Sequence, residues 1–295
     1  MTFDEEYKIK LEEVEEIVDR YLPEEEGYQK TILSALNYSV RAGGKRLRPM
    51  LMLETYRLFD GRSKVIEPFM AAMEYIHTGS LVHDDLPCMD NDEFRRGKKT
   101  TWAVYGDDMG VLAGDALFFY AFETAGKAFD MNVNSSNAGK AMALLAAKSG
   151  IYGMTGGQTV DVEMSGKALR KDQLRFIYEL KTGALIEASM MIGAILADAS
   201  REDIRTVEHI AKRVGLAFQI QDDLLDVTST TEELGKPVHS DEKNAKSTYV
   251  TLFGQEQAGV RAGLLLNEAI DLLDSLTGEN RFLKQLLEYL ITRKK

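Results

Sequence analysis

Two short acidic motifs contain the residues best suited to chemistry. The first lies in the stretch LVHDDLPCMDNDEFRRG (residues 81–97), where Asp84, Asp85 and Asp90 precede Arg95 and Arg96. Carboxylates so close together repel one another unless water, a basic side chain or a metal ion lies between them. The pattern therefore indicates either a network of ion pairs or a divalent metal site with aspartate ligands.

The second acidic motif, FQIQDDLLDV (residues 218–227), has helical spacing. A helix would place Asp222 and Asp226 about one turn apart on one face, flanked by Asp223. One interpretation is an exposed acidic helix face. The neighbouring residues are mostly apolar, however, and burying a carboxylate beside them is costly unless something pairs it. A divalent cation with oxygen ligands would provide that pairing.

The first motif has a spacing that a straight helix does not suit. Asp84 and Asp90 are six residues apart, so a continuous helix would point them roughly 120° away from each other. Pro87 lies between them, removes a backbone donor and clashes with the preceding turn. We therefore expect the chain to loop out after Asp84 and to bring Asp90 back beside it.

The rest of the chain predicts the helices that position these motifs. No proline falls between Pro87 and Pro237, and this stretch is rich in Ala, Leu, Met, Glu and Lys, which favours helices over strands. Thr2 and Glu5 form a capping-box pattern at the start of the first helix. Further helices are predicted near residues 28–42, 49–59, 68–85, 107–129, 138–155, 171–198 and 201–226. An all-α fold follows from this pattern.

Composition excludes several classes of protein. The 295 residues are 44% hydrophobic, enough for a sizeable core. A net charge of −11 argues against nucleic-acid binding, and the single cysteine, Cys88, provides neither a disulfide nor a cysteine zinc site. The N-terminus lacks signal-peptide features, and no apolar run approaches the roughly 18 residues of a membrane span. We expect one cytoplasmic domain over residues 1–295, without stable membrane insertion.

Five further motifs accompany the acidic ones. They are GGKRLRP (43–49), RRGK (95–98), GGQTVD (156–161), KTGAL (181–185) and LGK (234–236). Together with DDLPCMD (84–90) and DDLLD (222–226), they resemble, in order, the motifs of the trans-isoprenyl (polyprenyl) diphosphate synthases. The resemblance covers nearly the whole chain and is to the short-chain bacterial type, similar to farnesyl diphosphate synthase. It implies the isoprenoid synthase fold, a bundle of about ten or more helices around a central apolar cavity.

The resemblance implies a transferase of isoprenoid biosynthesis. Such an enzyme condenses isopentenyl diphosphate with allylic diphosphates (dimethylallyl, geranyl) by ionisation, condensation and elimination. About three magnesium ions would neutralise the departing diphosphate. The implied metal ligands are Asp84, Asp85, Asp90, Asp222 and Asp226. The implied catalytic residues are Asp84, Asp85, Asp90, Asp222, Asp223 and Lys181. The family also implies a homodimer.

Two diphosphate sites follow from the same resemblance. The allylic diphosphate would contact Arg95, Lys181, Thr182, Gln219 and Lys236. Isopentenyl diphosphate would contact Lys45, Arg48, His77 and Arg96. Guanidinium groups match phosphate oxygens as a fork of donors, and lysine provides a compact charge. Taken alone, GGKRLRP is also typical of a solvated basic turn, and His77 of a hydrogen-bonded core histidine.

The length of the product depends on the helix before Asp84. Gly79 lies five residues earlier, about 7.5 Å along the axis, where bacterial farnesyl-type members of the family often carry an aromatic floor. An open floor favours geranylgeranyl diphosphate (C20). However, Phe118 and Phe119 on the facing helix, together with Tyr75 about one turn deeper, would close the pocket. We therefore expect farnesyl diphosphate (C15), with C20 as the alternative; ordinary core or dimer packing also explains these aromatics.

Other functions remain open at this stage. A terpene cyclase or a head-to-head condensing enzyme also uses aspartates and magnesium on an all-α fold, but lacks the pairing of GGKRLRP with RRG. A helical cation-binding protein or inactive subunit is a non-catalytic alternative, against which both intact aspartate motifs argue. The polar segment 229–247 is a candidate lid. In AKSTYV (245–250), Ala245 and Val250 replace the family's usual glycine and proline, which leaves the geometry of lid closure open.

Overall fold

The computed structural model describes residues 1–131, 134–228 and 247–293. Helices dominate these residues, which confirms the all-α prediction. Their only strands, β1 (Phe94–Arg95) and β2 (Lys98–Lys99), form a small antiparallel hairpin that pairs Phe94 with Lys99. Among the helices so described, none is long and apolar enough to cross a membrane. The predicted lid falls almost entirely outside the described residues, as do Lys236 and Ala245.

The chain forms two compact units. The first comprises Met1–Leu53 and Ser63–Met142, and the second comprises Glu54–Arg62 and Ala143–Lys295. The single-domain organisation over residues 1–295 stays a prediction.

The helices that begin in the first unit include one that is apolar and mostly buried. They are α1 (Phe3–Arg20), α2 (Lys30–Val40), α3 (Leu47–Leu58), α4 (Ile66–Asp84), α5 (Thr101–Tyr105), α6 (Asp107–Gly126) and α7 (Ser135–Ser149), with a 3-10 turn at Lys127–Asp130. The capping box of α1 is present, with Thr2 N donating to Glu5 Oε2 at 2.8 Å. Helix α4 is apolar and buried on most of its surface, as expected of a core helix. Helix α6 packs against it closely, because Gly114 leaves room for the His83 ring.

The second unit contains the helices of the second aspartate motif. They are α8 (Met154–Glu163), α9 (Lys171–Ile177), α10 (Ala184–Leu196), α11 (Arg201–Thr228), α12 (Tyr249–Phe253), α13 (Gln255–Asp274) and α14 (Arg281–Thr292). A π-helical segment, Tyr178–Gly183, joins α9 to α10. The predicted helix over 138–155 is correct only as far as Ser149, where α7 ends. Gly153 has φ −136° and ψ −130° and approaches the Lys148 carbonyl too closely for a side chain.

Candidate active site

The loop after α4 returns Asp90 to the end of that helix. Asp90 N donates to Asp84 O at 2.8 Å, and Asn91 N donates to Leu86 O at 3.1 Å. Asn91 has a left-handed backbone, φ +56°, which asparagine tolerates better than most residues. This confirms the expectation that Pro87 interrupts the helix and lets the first and last aspartates of the motif meet. Asp84 is half-buried and Asp90 is exposed.

Asp85, the middle aspartate of this motif, forms an ion pair with Arg95. Arg95 on β1 donates through Nε to both Asp85 carboxylate oxygens, at 2.7 and 2.9 Å. Asp85 is buried, so desolvation raises its pKa, while the hydrogen bonds and charge of Arg95 oppose that rise. In the described state, Asp85 therefore positions Arg95, and its role as a metal ligand stays a prediction.

The predicted isopentenyl diphosphate residues gather around the double glycine. Arg96 Nη1 donates to Gly43 O. Gly44 has φ +144°, and a Cβ there would overlap the Arg96 guanidinium, so only glycine fits both the backbone and the contact. Arg48 Nη1 lies 3.3 Å from His77 Nε2. Burial, and then the charge of Arg48 and nearby arginines, hold the pKa of His77 well below its ordinary value.

A residue without a predicted role holds this basic loop in shape. Arg46 has φ +46° and is buried, with Nη1 donating to Glu74 Oε1 and Nη2 to Val40 O, both at 2.7 Å. Anchoring Arg46 fixes the loop on both sides and leaves Lys45 exposed. The motif therefore combines one buried structural cation with cations available to an anion.

The second aspartate motif presents only one carboxylate to solvent. Asp222 has a 38% exposed side chain, whereas Asp223 and Asp226 are each 3% exposed. Asp223 accepts hydrogen bonds from the Tyr178 hydroxyl and from Tyr249 N, the latter at 2.7 Å. Asp223 thus fastens the π-helical segment and the start of α12 to α11. This geometry suits a positioning role for Asp223, which the sequence had grouped with the catalytic residues.

The predicted allylic residues of the second unit lie together. Lys181 Nζ is 2.6 Å from Asp161 Oδ2, and the Thr182 hydroxyl donates to Gln219 Oε1 at 2.7 Å. All four side chains, with Asp223, line a cavity of about 100 Å³. Lys181 and Thr182 occupy the π-helical segment, a geometry frequent at functional sites.

The chain-length residues separate into three environments. A Cβ on Gly79 would lie 3.2 Å from Phe118 Cε1, so Phe118 does face α4. Phe119 is 77% exposed, which corrects its predicted place in the pocket: adjacent helical residues point about 100° apart. Tyr75 is fully buried and donates its hydroxyl to Val18 O at 2.8 Å, while its ring stacks on Tyr120. Tyr75 therefore anchors α4 to α1.

The carboxylates of the two aspartate motifs are suitable ligands for magnesium. Among residues 1–131, 134–228 and 247–293, no three His, Cys, Asp or Glu side chains form a ready-made metal site. Magnesium usually binds through one or two carboxylates together with substrate phosphates and water. Asp84, Asp90 and Asp222 offer oxygen donors of that kind, so the residues present fit the ion.

Several residues of these clusters had no signal in the sequence. Tyr178 contacts Asp223, but an isolated tyrosine has no diagnostic spacing. Arg293 donates to Asp222 from 71 residues away in the sequence.

Comparison with known proteins identifies the family. A model of the polyprenyl synthetases matches residues 29–289. Geranylgeranyl diphosphate synthase of Cyanophora paradoxa is 43% identical over 87% of this chain and 85% of that protein. Farnesyl diphosphate synthase of Geobacillus stearothermophilus is 43% identical over 81% of this chain and 80% of that protein. A crystal structure of Helicobacter pylori geranyltransferase with magnesium and isoprenyl diphosphate has a TM-score of 0.84 and 32% identity, over 99% of this chain and 97% of that one. The chain belongs to the polyprenyl synthetase family.

Proposed function

We propose that this prenyltransferase condenses isopentenyl diphosphate with allylic diphosphates and releases farnesyl diphosphate as its main product. The observation that supports this product is the contact between Phe118 and Gly79. Gly79 lets α6 approach α4 closely, and the space that a side chain there would enter is taken by Gly114 O, Leu117 Cβ and the Phe118 ring, each 3.2 Å away. Relatives that make farnesyl and geranylgeranyl diphosphate are equally similar to the chain, so this contact favours C15.

The first unit supplies an anion site that needs no metal. Arg48, Arg96 and the exposed Lys45 would bind isopentenyl diphosphate through direct hydrogen bonds. Burial and the charge of Arg48 hold the pKa of His77 below its ordinary value, which favours a neutral imidazole that adds a hydrogen-bonding group without adding charge. The Gly44 contact keeps Arg96 against this loop.

The second unit supplies donors for the allylic diphosphate. Lys181 is a compact cation beside the Thr182 hydroxyl and the Gln219 amide. Diphosphate oxygens would replace Asp161 as the partner of Lys181. The family resemblance also assigns Arg95 and Lys236 to the allylic diphosphate; Lys236 lies outside the described residues.

The reaction breaks the allylic carbon–oxygen bond, and the diphosphate leaves with the electron pair. Magnesium held by Asp84, Asp90 and Asp222 would supply neutralisation of the charge on this leaving group. Lys181 adds a fixed positive charge at the same group. The double bond of isopentenyl diphosphate attacks the allylic cation, and a proton then passes from the condensed cation to the released diphosphate, which restores the double bond.

The exposed apolar face of α6 is best explained by a second copy of the chain. Val111, Leu112 and Phe119 are all exposed on this helix, and an unpartnered apolar face is typical of an oligomer interface. We expect a homodimer by light scattering. Phe119→Asp should yield monomer, whereas Tyr28→Asp, a fully exposed aromatic elsewhere, should not. A monomeric wild type would contradict the proposal.

Product chromatography tests the proposed activity. The enzyme is incubated with isopentenyl and dimethylallyl diphosphates, with and without magnesium, and the dephosphorylated products are separated. Farnesol as the main metal-dependent product supports the proposal. Geranylgeraniol as the main product would favour the alternative suggested by Gly79, and the absence of any prenyl product would contradict the activity itself.

A further inference from the structure

The arginine that follows α14 contacts the second aspartate motif. The side chain of Arg293 is 4% exposed, and its Nη2 donates to Asp222 Oδ1. Nη1 donates to Leu290 O at 2.6 Å, and the guanidinium carbon lies 4.1 Å from the centre of the Phe218 ring. Gln221 Nε2 donates to Arg293 O at 3.2 Å. Arg293 is therefore bound to α11 through both its side chain and its backbone.

Arg293 contacts Asp222, which is the most exposed of the three carboxylates of the second aspartate motif. A buried guanidinium is costly unless a counter-charge pairs it, and Asp222 supplies that charge. The same carboxylate is a proposed magnesium ligand. The cation and Arg293 carry like charge and would approach the same oxygen, so the two compete for Asp222.

We propose that Arg293 is a positioning residue that holds Asp222 in the metal-free enzyme and competes with magnesium for it. Metal binding at Asp222 then releases Arg293 and loosens the last turn of α14. This inference rests on the proposed role of Asp222 as a metal ligand. The coupling is reciprocal: metal binding weakens the Arg293 contact by the same factor by which the contact weakens metal binding.

The surroundings of Arg293 make such a release feasible. Phe218 offers the guanidinium a cation–π partner that does not depend on Asp222. The backbone hydrogen bond from Arg293 N to Tyr289 O, at 3.0 Å, reports on the last turn of α14. Metal binding should therefore change the exchange rate of this amide while the rest of α14 stays helical.

Metal affinity is the direct test. Free Mn²⁺ is measured by electron paramagnetic resonance during titration of the full chain, without substrate. Arg293→Gln should tighten one Mn²⁺ site about fivefold or more, and Arg293→Lys should have a smaller effect. Arg281→Gln, which removes the same charge from the other end of α14, is the matched control and should leave affinity within about twofold. Equal or weaker Mn²⁺ binding by Arg293→Gln would overturn the proposal.

Asp222→Asn separates this inference from the assignment on which it rests. This variant should lose one Mn²⁺ site, and Arg293→Gln should then have no further effect on affinity. If Asp222→Asn binds Mn²⁺ like the wild type, Asp222 is not a ligand and the proposed metal site is wrong. If the site is lost but Arg293→Gln does not tighten it in the parent, only the inference fails.

Hydrogen exchange provides a readout that a purely structural role would not move. Mn²⁺ should speed exchange in a peptide covering the last turn of α14 in the wild type. Arg293→Gln should show fast exchange there already without metal, and Asp222→Asn should show no response to metal. A metal-independent exchange rate in the wild type would contradict the release of the C-terminal turn.

Discussion

Phe118→Ala should lengthen the product from C15 towards C20. The substitution removes a phenyl ring of six carbons, whose Cε1 lies 3.2 Å from where a Gly79 side chain would begin. One isoprene unit has five carbons, so the vacated space matches one further condensation. Burying five carbons is worth about 4 kcal/mol at roughly 0.8 kcal/mol per carbon.

Only part of that energy should favour the longer product, because Phe118 is half-buried and its space is partly open to water. Taking about half, roughly 2 kcal/mol, the ratio of C20 to C15 should rise about thirtyfold. The variant should also lose about 2 kcal/mol of folding free energy, less than for a fully buried phenylalanine. A thermal unfolding scan should show that the Phe118→Ala variant remains folded at the assay temperature.

The assay is chromatography of the dephosphorylated products at equal conversion of isopentenyl diphosphate. Phe176→Ala is the matched control: it makes the same chemical change on an exposed side chain of another helix, α9. It should leave the product ratio unchanged. An unchanged ratio in Phe118→Ala, or an equal rise in both variants, would refute the argument that the Phe118 ring limits the chain.

Two further predictions concern buried polar groups. Tyr178→Phe removes the hydroxyl that donates to Asp223 and should lower the free energy of unfolding by about 1–2 kcal/mol. It should also raise the KM for the allylic substrate more than the KM for isopentenyl diphosphate. Equal effects on the two KM values would contradict this prediction. His77 has a pKa below its unfolded value, so the unfolded chain binds more protons and stability should fall as pH drops below about 6.5. His77→Gln should flatten this part of the stability profile measured by denaturant unfolding, and an unchanged slope would count against a buried neutral imidazole.

Local sequence rules were sufficient where a feature depends on neighbouring residues. The capping box at Thr2 and the loop at Pro87 are of this kind, because capping and proline sterics act over a few residues. Phe118 was predicted to face α4 and does so. Phe119 was assigned to the same face, although consecutive helical positions diverge by about 100°, and this is a misapplied periodicity.

Tertiary partners were beyond the reach of those rules. The DDLLD spacing shows that carboxylates share a helix face, but not which of them is buried. Asp223 is buried because Tyr178 and Tyr249 satisfy it, and both partners lie far away in the sequence. The helix break at Gly153 was missed because it depends on a close approach to a carbonyl, which a composition rich in helix formers conceals.

The charged groups of each unit are paired with one another before any substrate arrives. In the first unit Arg95 binds Asp85; in the second, Lys181 binds Asp161 and Arg293 binds Asp222. Metal alone must displace a basic group, and diphosphate alone must displace a carboxylate, and each leaves a partly buried charge without a partner. When the two bind together, Asp222 passes from Arg293 to the metal and Lys181 passes from Asp161 to the diphosphate, and the opposite charges of metal and diphosphate stabilise each other. This exchange of partners favours cooperative binding of metal and diphosphate, and it opposes loading of the site by either one alone.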